Sequence, residues 1–369
     1  MRVRTQLKDI VSFSKGKQIN GEELLVSGKY DYLNGGVLPS GKWNEYNTAG
    51  ETVTISEGGN SCGFVNFMEK PFWCGAHCYY LFEPKINAKY LYYALKSKQS
   101  NLMKIRSGAC MPNIKKNDLG KFKIVYDTDS NEQFKTIKVL DTVSLMIVAC
   151  QKQLQKLDEL VKSRFIEMFG DPVTNLKGWT TKPLLDMGNC KNGMNFHTGD
   201  SGMEMHCLGV GDFKDLSFID GTDHLPVISL NEAPPEESML RDGDIVFVRS
   251  NGNKALVGRC LVVYPRNTPT TYSGFCIRYR LTSSEVDTTY LLRVLKTDSM
   301  RKKMAGRGAN IQNLNQQILS ALDIPLPPIK LQQAFAAFVE QVDKSEIAVQ
   351  QALDKAQLLF DSLMQKYFG

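Results

Sequence analysis

No stretch of this sequence approaches the roughly 20 consecutive apolar residues needed to span a bilayer. The opening MRVRTQLKDI also has no apolar core of the kind a secretion signal carries. Both absences point to a cytoplasmic protein without a membrane partner. Paired cysteines are missing as well. The nine cysteines are odd in number and scattered, which suits reduced thiols better than a disulfide framework. The tightest group is Cys74, His77 and Cys78, with Cys62 upstream. It lacks the paired C-x2-C units of most structural zinc sites, so small buried thiols are the better reading and no metal is expected.

Catalytic signatures are equally scarce. Gly36-x4-Gly41-Lys42 imitates a phosphate-binding loop, but Trp43 stands where Ser or Thr should follow and no apolar strand precedes it. Gly209-Val210-Gly211 lacks the third glycine of a dinucleotide fingerprint. Pro234-Pro235 and Pro327-Pro328 are not preceded by the Asn or Asp of an amino-methyltransferase motif. His197, His206 and His224 sit among polar loop residues, outside any G-x-S-x-G or H-E-x-x-H context. The net charge of +6 and a pI near 8.7 suit a DNA binder. They suit equally well many basic proteins that touch no nucleic acid.

What the sequence does have is a repeat of itself. Tyr90-Leu91 and Leu95-Lys96 recur as Tyr290-Leu291 and Leu295-Lys296, and Gly108-Ala109 and Asn113-Ile114 recur as Gly308-Ala309 and Asn313-Leu314. GETVTISEGGN, from Gly50 to Asn60, matches GDIVFVRSNGN, from Gly243 to Asn253. Each reads as a turn, a β-branched strand and a Gly/Asn loop. Leu7, Asp9, Ile10 and Gly16 align in the same way with Leu184, Asp186, Met187 and Gly193.

Proline and glycine are absent from two long stretches, about Asn131 to Met168 and Leu331 to Tyr367. In the first, Leu140, Val143, Ile147, Cys150, Leu154, Leu157, Val161, Arg164 and Met168 follow alternating +3/+4 spacing, a heptad seam. In the second, the seam is Phe335, Val339, Val342, Glu346, Val349, Leu353, Ala356, Phe360, Leu363 and Tyr367. Helices of about 37 residues reach about 55 Å, more than a small domain covers, so helix-on-helix pairing is expected. The spacing predicts an α+β chain of four parts: a globule at 1–130, a helix at 131–168, a second globule of similar fold at 169–329 and a second helix at 330–369. If a pseudo-two-fold relates the halves, the helices pack antiparallel as a spacer.

The junction Lys162-Ser163-Arg164-Phe165-Ile166-Glu167-Met168-Phe169-Gly170-Asp171-Pro172 resembles the central region of the Type I restriction–modification specificity (HsdS) family. Ile324-Pro325-Leu326-Pro327-Pro328, followed by Leu331-Gln332-Gln333, is similar to the entry into that family's distal helix; the first half has Phe122-Lys123-Ile124-Val125-Tyr126 there instead. Gly58-Gly59-Asn60-Ser61 with Trp73-Cys74-Gly75, and Leu240 to Phe247 with Asn251-Gly252-Asn253, resemble two classes of target-recognition domain. The resemblance covers essentially the whole chain and implies a non-catalytic subunit. It implies that each globule reads half of a split, asymmetric site on double-stranded DNA. It further implies that the helices dock two methyltransferase subunits, that motor–endonuclease subunits join for cleavage, and that AdoMet, ATP and Mg²⁺ belong to those partners.

Candidate readers lie in the loops after strands. They are Ser56, Glu57, Gly58, Gly59, Asn60 and Ser61 in the first half, and Arg249, Ser250, Asn251, Gly252, Asn253, Lys254 and Arg259 in the second. Glycine allows close backbone approach, asparagine can pair with adenine, and arginine with guanine. The same residues also suit β-turns, and a turn can still touch DNA. A second pair of candidates surrounds the repeated Gly-Ala loops: Lys104, Arg106, Lys115 and Lys116, then Arg301, Lys302, Lys303 and Arg307 with Asn310 and Gln312. Such clusters suit phosphate contact or a solvated helix end. A nuclease with dispersed acidic ligands and a helical interaction scaffold with no DNA role remain as alternatives.

Overall fold

The computed structural model describes residues 1–108, 112–196, 199–213, 216–305 and 313–369. The chain forms two compact units, Met1–Gln153 with Val349–Gly369, and Leu154–Ala348. Among the described residues, no helix is long and apolar enough to cross a membrane.

The first unit carries β1 (Arg2–Gln6), β2 (Ser12–Lys15), β3 (Tyr30–Leu33), β4 (Gly41–Trp43), β5 (Thr52–Ser56), β6 (Val65–Met68), β7 (Trp73–Cys74) and β8 (Cys78–Phe82). The helices α1 (Ala88–Lys96), α2 (Gln99–Lys104) and α3 (Lys116–Lys121) follow, then β9 (Lys123–Asp127) and the long helix α4 (Ser130–Phe169), whose residues from Leu154 on belong to the second unit. Strands β2, β8, β5 and β6 make one antiparallel sheet in that order. Strand β3 lies between β4, antiparallel, and β7, parallel, and β1 pairs with β9.

The second unit repeats this plan. It carries β10 (Thr181–Pro183), β11 (Gly188–Asn192), β12 (Met203–Leu208), β13 (Phe218–Asp220), β14 (Val227–Leu230), β15 (Asp244–Val248), β16 (Cys260–Tyr264), β17 (Thr270–Tyr272) and β18 (Cys276–Leu281). Then come α5 (Thr288–Lys296), α6 (Asp298–Ala305), α7 (Gln316–Ser320), β19 (Asp323–Pro325) and the long helix α8 (Ile329–Phe368). The main sheet runs β11, β18, β15, β16, with β13 added in parallel at the far edge. Strand β12 lies between β14, antiparallel, and β17, parallel, and β10 pairs with β19. Apart from β13, connectivity and strand direction match the first unit, so the sequence repeat is a repeat of topology.

Matching residues make matching bonds. Leu7 N–H donates to Phe122 O at 2.8 Å and Leu184 N–H to Leu322 O at 2.9 Å. Gly16 and Gly193 each press on a partner strand: a Cβ there would lie 1.9 Å from Cys74 O or 2.0 Å from Ser273 O, so only glycine fits. Asn87 caps α1 by accepting from Lys89 N at 2.8 Å, and Asp287 caps α5 by accepting from Thr289 N at 2.8 Å. One buried glutamine on each long helix ties it to the strands and loops beside it. Gln133 accepts from Asn87 N at 3.1 Å and donates to Asp127 O at 2.7 Å; Gln332 accepts from Asp287 N at 2.9 Å and donates to Pro327 O at 2.7 Å.

Each long helix serves both units. In the first, Leu140 of α4 shares a core with Phe360, Leu363, Met364 and Phe368 of α8, and Phe368 lies on Tyr90 with ring centres 5.1 Å apart. In the second, Val161, Phe165 and Phe169 of α4 share a core with Phe335, Val339 and Val342 of α8, and Phe169 lies on Tyr290 at 4.7 Å. Helix α4 stops at Gly170, at φ +77°, whose N–H returns to Ile166 O at 2.8 Å, while Lys177 Nζ satisfies the Glu167 and Met168 carbonyls.

The heptad expectation is corrected at two points. Arg164 is exposed and pairs with Glu167 at 2.8 Å; Phe165 and Phe169 occupy the buried face in its place, with Met168 partly buried against the same core. The seam moves because steps of four continue from Leu157 through Val161, and a straight helix drifts against a 3.5-residue repeat. Glu346 is half-buried near Asp343, Arg293, Asp158 and Lys296. Burial pushes the Glu346 and Asp343 carboxyls up and the Arg293 and Lys296 cations down. Other seam residues are less covered: Val143 is buried, while Ile147, Leu154, Leu157, Val349 and Leu353 are half-buried.

Candidate nucleic-acid interface

In each unit the loop after the central strand meets a second segment far away in sequence. The loop after β5 and the segment near Asn113 are joined by Ile114 N–H to Glu57 O at 2.9 Å, Gly59 N–H to Pro112 O at 3.0 Å, and a bridge between Gly58 and Asn113. The loop after β15 and the segment at Asn313 are joined by Leu314 N–H to Arg249 O at 2.7 Å and a bridge between Ser250 and Asn313. A third segment joins each pair. Glu57 N–H donates to His77 O at 2.9 Å, and Arg249 N–H to Phe275 O at 2.7 Å.

These bonds correct the alignment of the loops by one residue. Ser56 pairs with Cys78 and Val248 with Cys276; Ile55 pairs with Val65 and Phe247 with Cys260. Glu57 therefore corresponds to Arg249 and Gly58 to Ser250. The loops close at equivalent glycines in the left-handed region, Gly63 at φ +87° and Gly258 at φ +79°, donating to Ser56 O and Val248 O. The second loop is the longer.

Within the first loop, the expected residues divide into frame and tip. Ser56 is buried; its hydroxyl donates to Gly35 O and lies 3.2 Å from Ser61 Oγ. Glu57 is also buried, with its carboxylate ion-paired to Lys15 and 3.6 Å from His77 Nδ1. Ser61 Oγ donates to Gly35 O at 2.6 Å. Gly59, at φ +71°, and Asn60 form the exposed tip, with Gly58 half-covered beside them. Lys104, Arg106, Lys115 and Lys116 are all exposed. Of these, Lys116 Nζ lies 5.8 Å from the Phe13 ring centre.

In the second loop, both asparagines build turns. Asn251 Oδ1 accepts from Asn253 N at 2.8 Å, and Asn253 Oδ1 accepts from Ala255 N at 3.1 Å. Gly252 and Asn253 are exposed, Ser250 is half-buried, and Lys254 opens a short 3-10 turn, Lys254–Leu256. Arg249 Nη1 donates to Gly274 O at 3.3 Å. Arg259 accepts from Val248 N through its carbonyl at 2.8 Å. Arg301 braces the loop from α6 by donating to Ala255 O at 3.0 Å, while Lys302 and Lys303 are exposed. Arg307, Asn310 and Gln312, the repeat residues Gly308-Ala309, and His197 lie outside the described residues.

Sequence reasoning missed Phe275, and it weighed His77 only as a companion of Cys74 and Cys78. They occupy equivalent turns, each just before the cysteine that opens the next strand, Cys78 or Cys276. Both rings are exposed, Phe275 at 60%.

Cys74 and Cys78 are buried, and the hydrogen bond with Cys78 together with burial pushes the Cys74 thiol up. Among the described residues, no set of three His, Cys, Asp or Glu could hold a metal ion. A cavity of about 430 Å³ in the second unit is lined by Asp220, Asp287, Glu340 and Asp343. Asp220 pairs with Arg266 at 2.6 Å, Asp287 caps α5, and Glu340 pairs with Lys344 at 2.8 Å. Arg293 faces Asp343. These carboxylates are engaged with cations or a helix end.

The family model for the Type I restriction modification DNA specificity domain matches residues 3–159 and 236–357. The chain is 35% identical over 141 residues to a type I specificity subunit of Mycoplasma genitalium, covering 37% of this chain and 37% of that protein. The match therefore spans about two-fifths of that relative's length. It is 27% identical over 346 residues to the Type I restriction enzyme StySPI specificity subunit of Salmonella potsdam, covering 86% of this chain and 73% of the other. The crystal structure of a Type I restriction–modification S subunit from M. genitalium superposes with a TM-score of 0.65 at 20% identity, covering 100% of this chain and 96% of that one. That likeness is one of fold.

Proposed function

The chain belongs to the Type I restriction modification DNA specificity domain family, and from that premise we propose that it is the sequence reader of a Type I restriction–modification complex. Each unit reads one part of a split, asymmetric target on double-stranded DNA. The observation that carries this reading is the paired assembly of loops: equivalent bonds, Ile114 to Glu57 and Leu314 to Arg249, gather a Gly/Asn loop and a second segment at the same place in each repeat. Around a shared Gly-Asn the loops differ in sequence, with Gly58 and Ser61 flanking it in one and Asn251 and Lys254 in the other. Equivalent scaffolds with different tips suit two different half-sites. Exposed bases beside them suit phosphate contact.

On this reading the functional parts are 1–130 and 169–329 as readers, and 131–168 and 330–369 as helices paired antiparallel to space them. Support comes from the order of shared cores: Leu140 goes with Phe360 to Phe368, and Phe165 with Phe335. Two methyltransferase subunits dock on the helices. Phe134, Leu145, Met146 and Val148 of α4, and Leu358 and Leu359 of α8, are exposed apolar residues suited to that contact. Motor–endonuclease subunits complete the complex in the cytoplasm. The chain itself carries no catalytic centre; AdoMet, ATP and Mg²⁺ are held by the partners.

The test is to reconstitute the chain with its methyltransferase and measure methylation across a DNA library randomised in both half-sites, with a salt series of binding. A split motif and a steep loss of affinity with salt are expected. Binding without sequence preference would overturn the reader assignment. A flat salt response would favour a scaffold without a DNA role, and DNA cleavage by the lone chain with Mg²⁺ would favour a nuclease.

A further inference from the structure

We propose that Phe275 reads a thymine methyl group in the half-site assigned to the second unit. The inference rests on the DNA-reading role above and assigns one base feature to one side chain.

Phe275 stands on a turn whose backbone is bonded on both sides. Gly274 N–H donates to Met194 O at 2.6 Å. Phe275 N–H donates to Ser273 Oγ at 3.3 Å, and Phe275 O accepts from both Arg249 N at 2.7 Å and Ser250 N at 3.3 Å. Gly274 O takes Arg249 Nη1. The neighbours Tyr272 and Cys276 are fully buried, yet the Phe275 ring is 60% exposed. A lone exposed apolar side chain is ordinary. Here, however, a fixed turn presents it beside the loop that carries Ser250, Asn251 and Asn253, and the equivalent turn of the other unit presents His77 in the same way. Two exposed rings at one position of a repeated scaffold, one apolar and one polar, suit two different bases.

The chemistry of the groove selects the target. Each base edge in the major groove offers donors and acceptors, and the C5 methyl of thymine is its one apolar feature. A phenyl ring has no hydrogen bond to give. Facing polar edges, it would strip them of water without replacing the lost bonds. Against a thymine methyl it buries apolar surface on both partners. The fixed backbone also means little ordering is needed on contact.

The test uses the complete complex of this chain with its methyltransferase. Each thymine of the second half-site is replaced in turn by deoxyuridine, which lacks only the methyl, and methylation rates are compared for the wild-type and Phe275→Ala complexes. For the wild type, one position is expected to slow about three- to tenfold on loss of the methyl. The Phe275→Ala complex should be slower on the thymine substrate and indifferent to uridine at that position. Phe275→Leu, which keeps an apolar group, should restore part of the methyl sensitivity. Circular dichroism of the variants checks folding, and Phe275→Leu keeps the test informative if the alanine variant misfolds. A second half-site without a T·A pair, or a sequence-specific wild type indifferent to every uridine replacement, overturns the inference and leaves the reader role standing. Loss of all sequence preference by the wild type removes the reader role itself.

Discussion

The carbonyl of Arg249 accepts the N–H of Leu314 at 2.7 Å. This bond joins a loop to a segment far along the chain, and the bond from Ile114 to Glu57 does the same in the first unit. Both positions follow a central strand, β5 or β15, whose five residues are all buried. The backbone frame of each loop is thus fixed by the sheet. The first consequences lie in the cores that support this frame.

Phe165→Ala should destabilise the second unit by about 3–5 kcal/mol, as expected for deleting a core aromatic. The ring lies within 5.2 Å of Phe169, 5.9 Å of Tyr290 and 5.6 Å of Phe335, centre to centre. Arg164→Ala next to it, exposed and paired along its own helix, should change stability by less than about 0.5 kcal/mol. Denaturant melts of both variants check this. A larger loss for Arg164→Ala would restore the heptad seam in place of the face observed.

The contrast shows where sequence reading stops. The repeat, the long helices and the strand-then-loop order were legible because periodicity and Gly/Asn turns are local signals. The shift from Arg164 to Phe165 was not, because 3.5- and 3.6-residue spacings separate only after several turns. The loop alignment slipped by one because Ser-Glu-Gly-Gly-Asn and Arg-Ser-Asn-Gly-Asn look alike as strings, while register is set by cross-strand partners. Ser56 and Glu57 looked like loop-tip polar groups. They are interior, and what makes that tolerable is a carbonyl at Gly35 and an amine at Lys15, each distant in sequence. Phe275 carried no local signal, and His77 only that of the Cys74 and Cys78 group, since only the folded turn brings the two residues to the loops.

Asp244→Asn should cost roughly 3 kcal/mol, because it leaves a largely buried guanidinium without its charge partner. Asp244 is only 1% exposed and takes Arg280 through two bonds, Nε at 2.8 Å and Nη2 at 2.7 Å, while also accepting from Arg241 N at 2.7 Å. Equilibrium unfolding at neutral pH measures the effect. A loss below about 1 kcal/mol would class the pair with ordinary surface bridges.

Glu346→Gln should raise the melting temperature at neutral pH. Burial lifts the carboxyls of Glu346 and Asp343, with Asp158 adding like charge and Arg293 and Lys296 only partly offsetting it. A carboxyl whose folded pKa lies above its unfolded value contributes stability that is complete below the unfolded value and is lost as pH rises through the folded one. The wild type should therefore gain on the glutamine variant as pH falls, and the difference should close by about pH 4.5, the ordinary glutamate value. Melting curves from pH 4 to 8 test it. A variant less stable than the wild type at pH 7.5 would mean that attraction to Arg293 outweighs burial.

The loop tips should specify separately. Replacing Gly59 and Asn60 should alter preference only in the first half-site, and replacing Asn251 to Lys254 only in the second, each lost bidentate base contact costing about 1–3 kcal/mol. Asn251 needs a finer test, because its Oδ1 already holds the turn through Asn253 N. Asn251→Ser keeps an acceptor for that N–H and removes the amide donor, whereas Asn251→Ala removes both. If Asn251 reads a base through its amide, serine and alanine should lose the same preference at one position of the motif. If it only shapes the turn, serine should retain the preference that alanine blurs across the half-site. Methylation of the randomised library by the reconstituted complex separates the two. A change spread equally over both half-sites by either loop replacement would show that the loops do not act as independent readers, because the frame beneath each, Ser56 and Glu57 on one side and Val248 and Arg249 on the other, belongs to one unit alone.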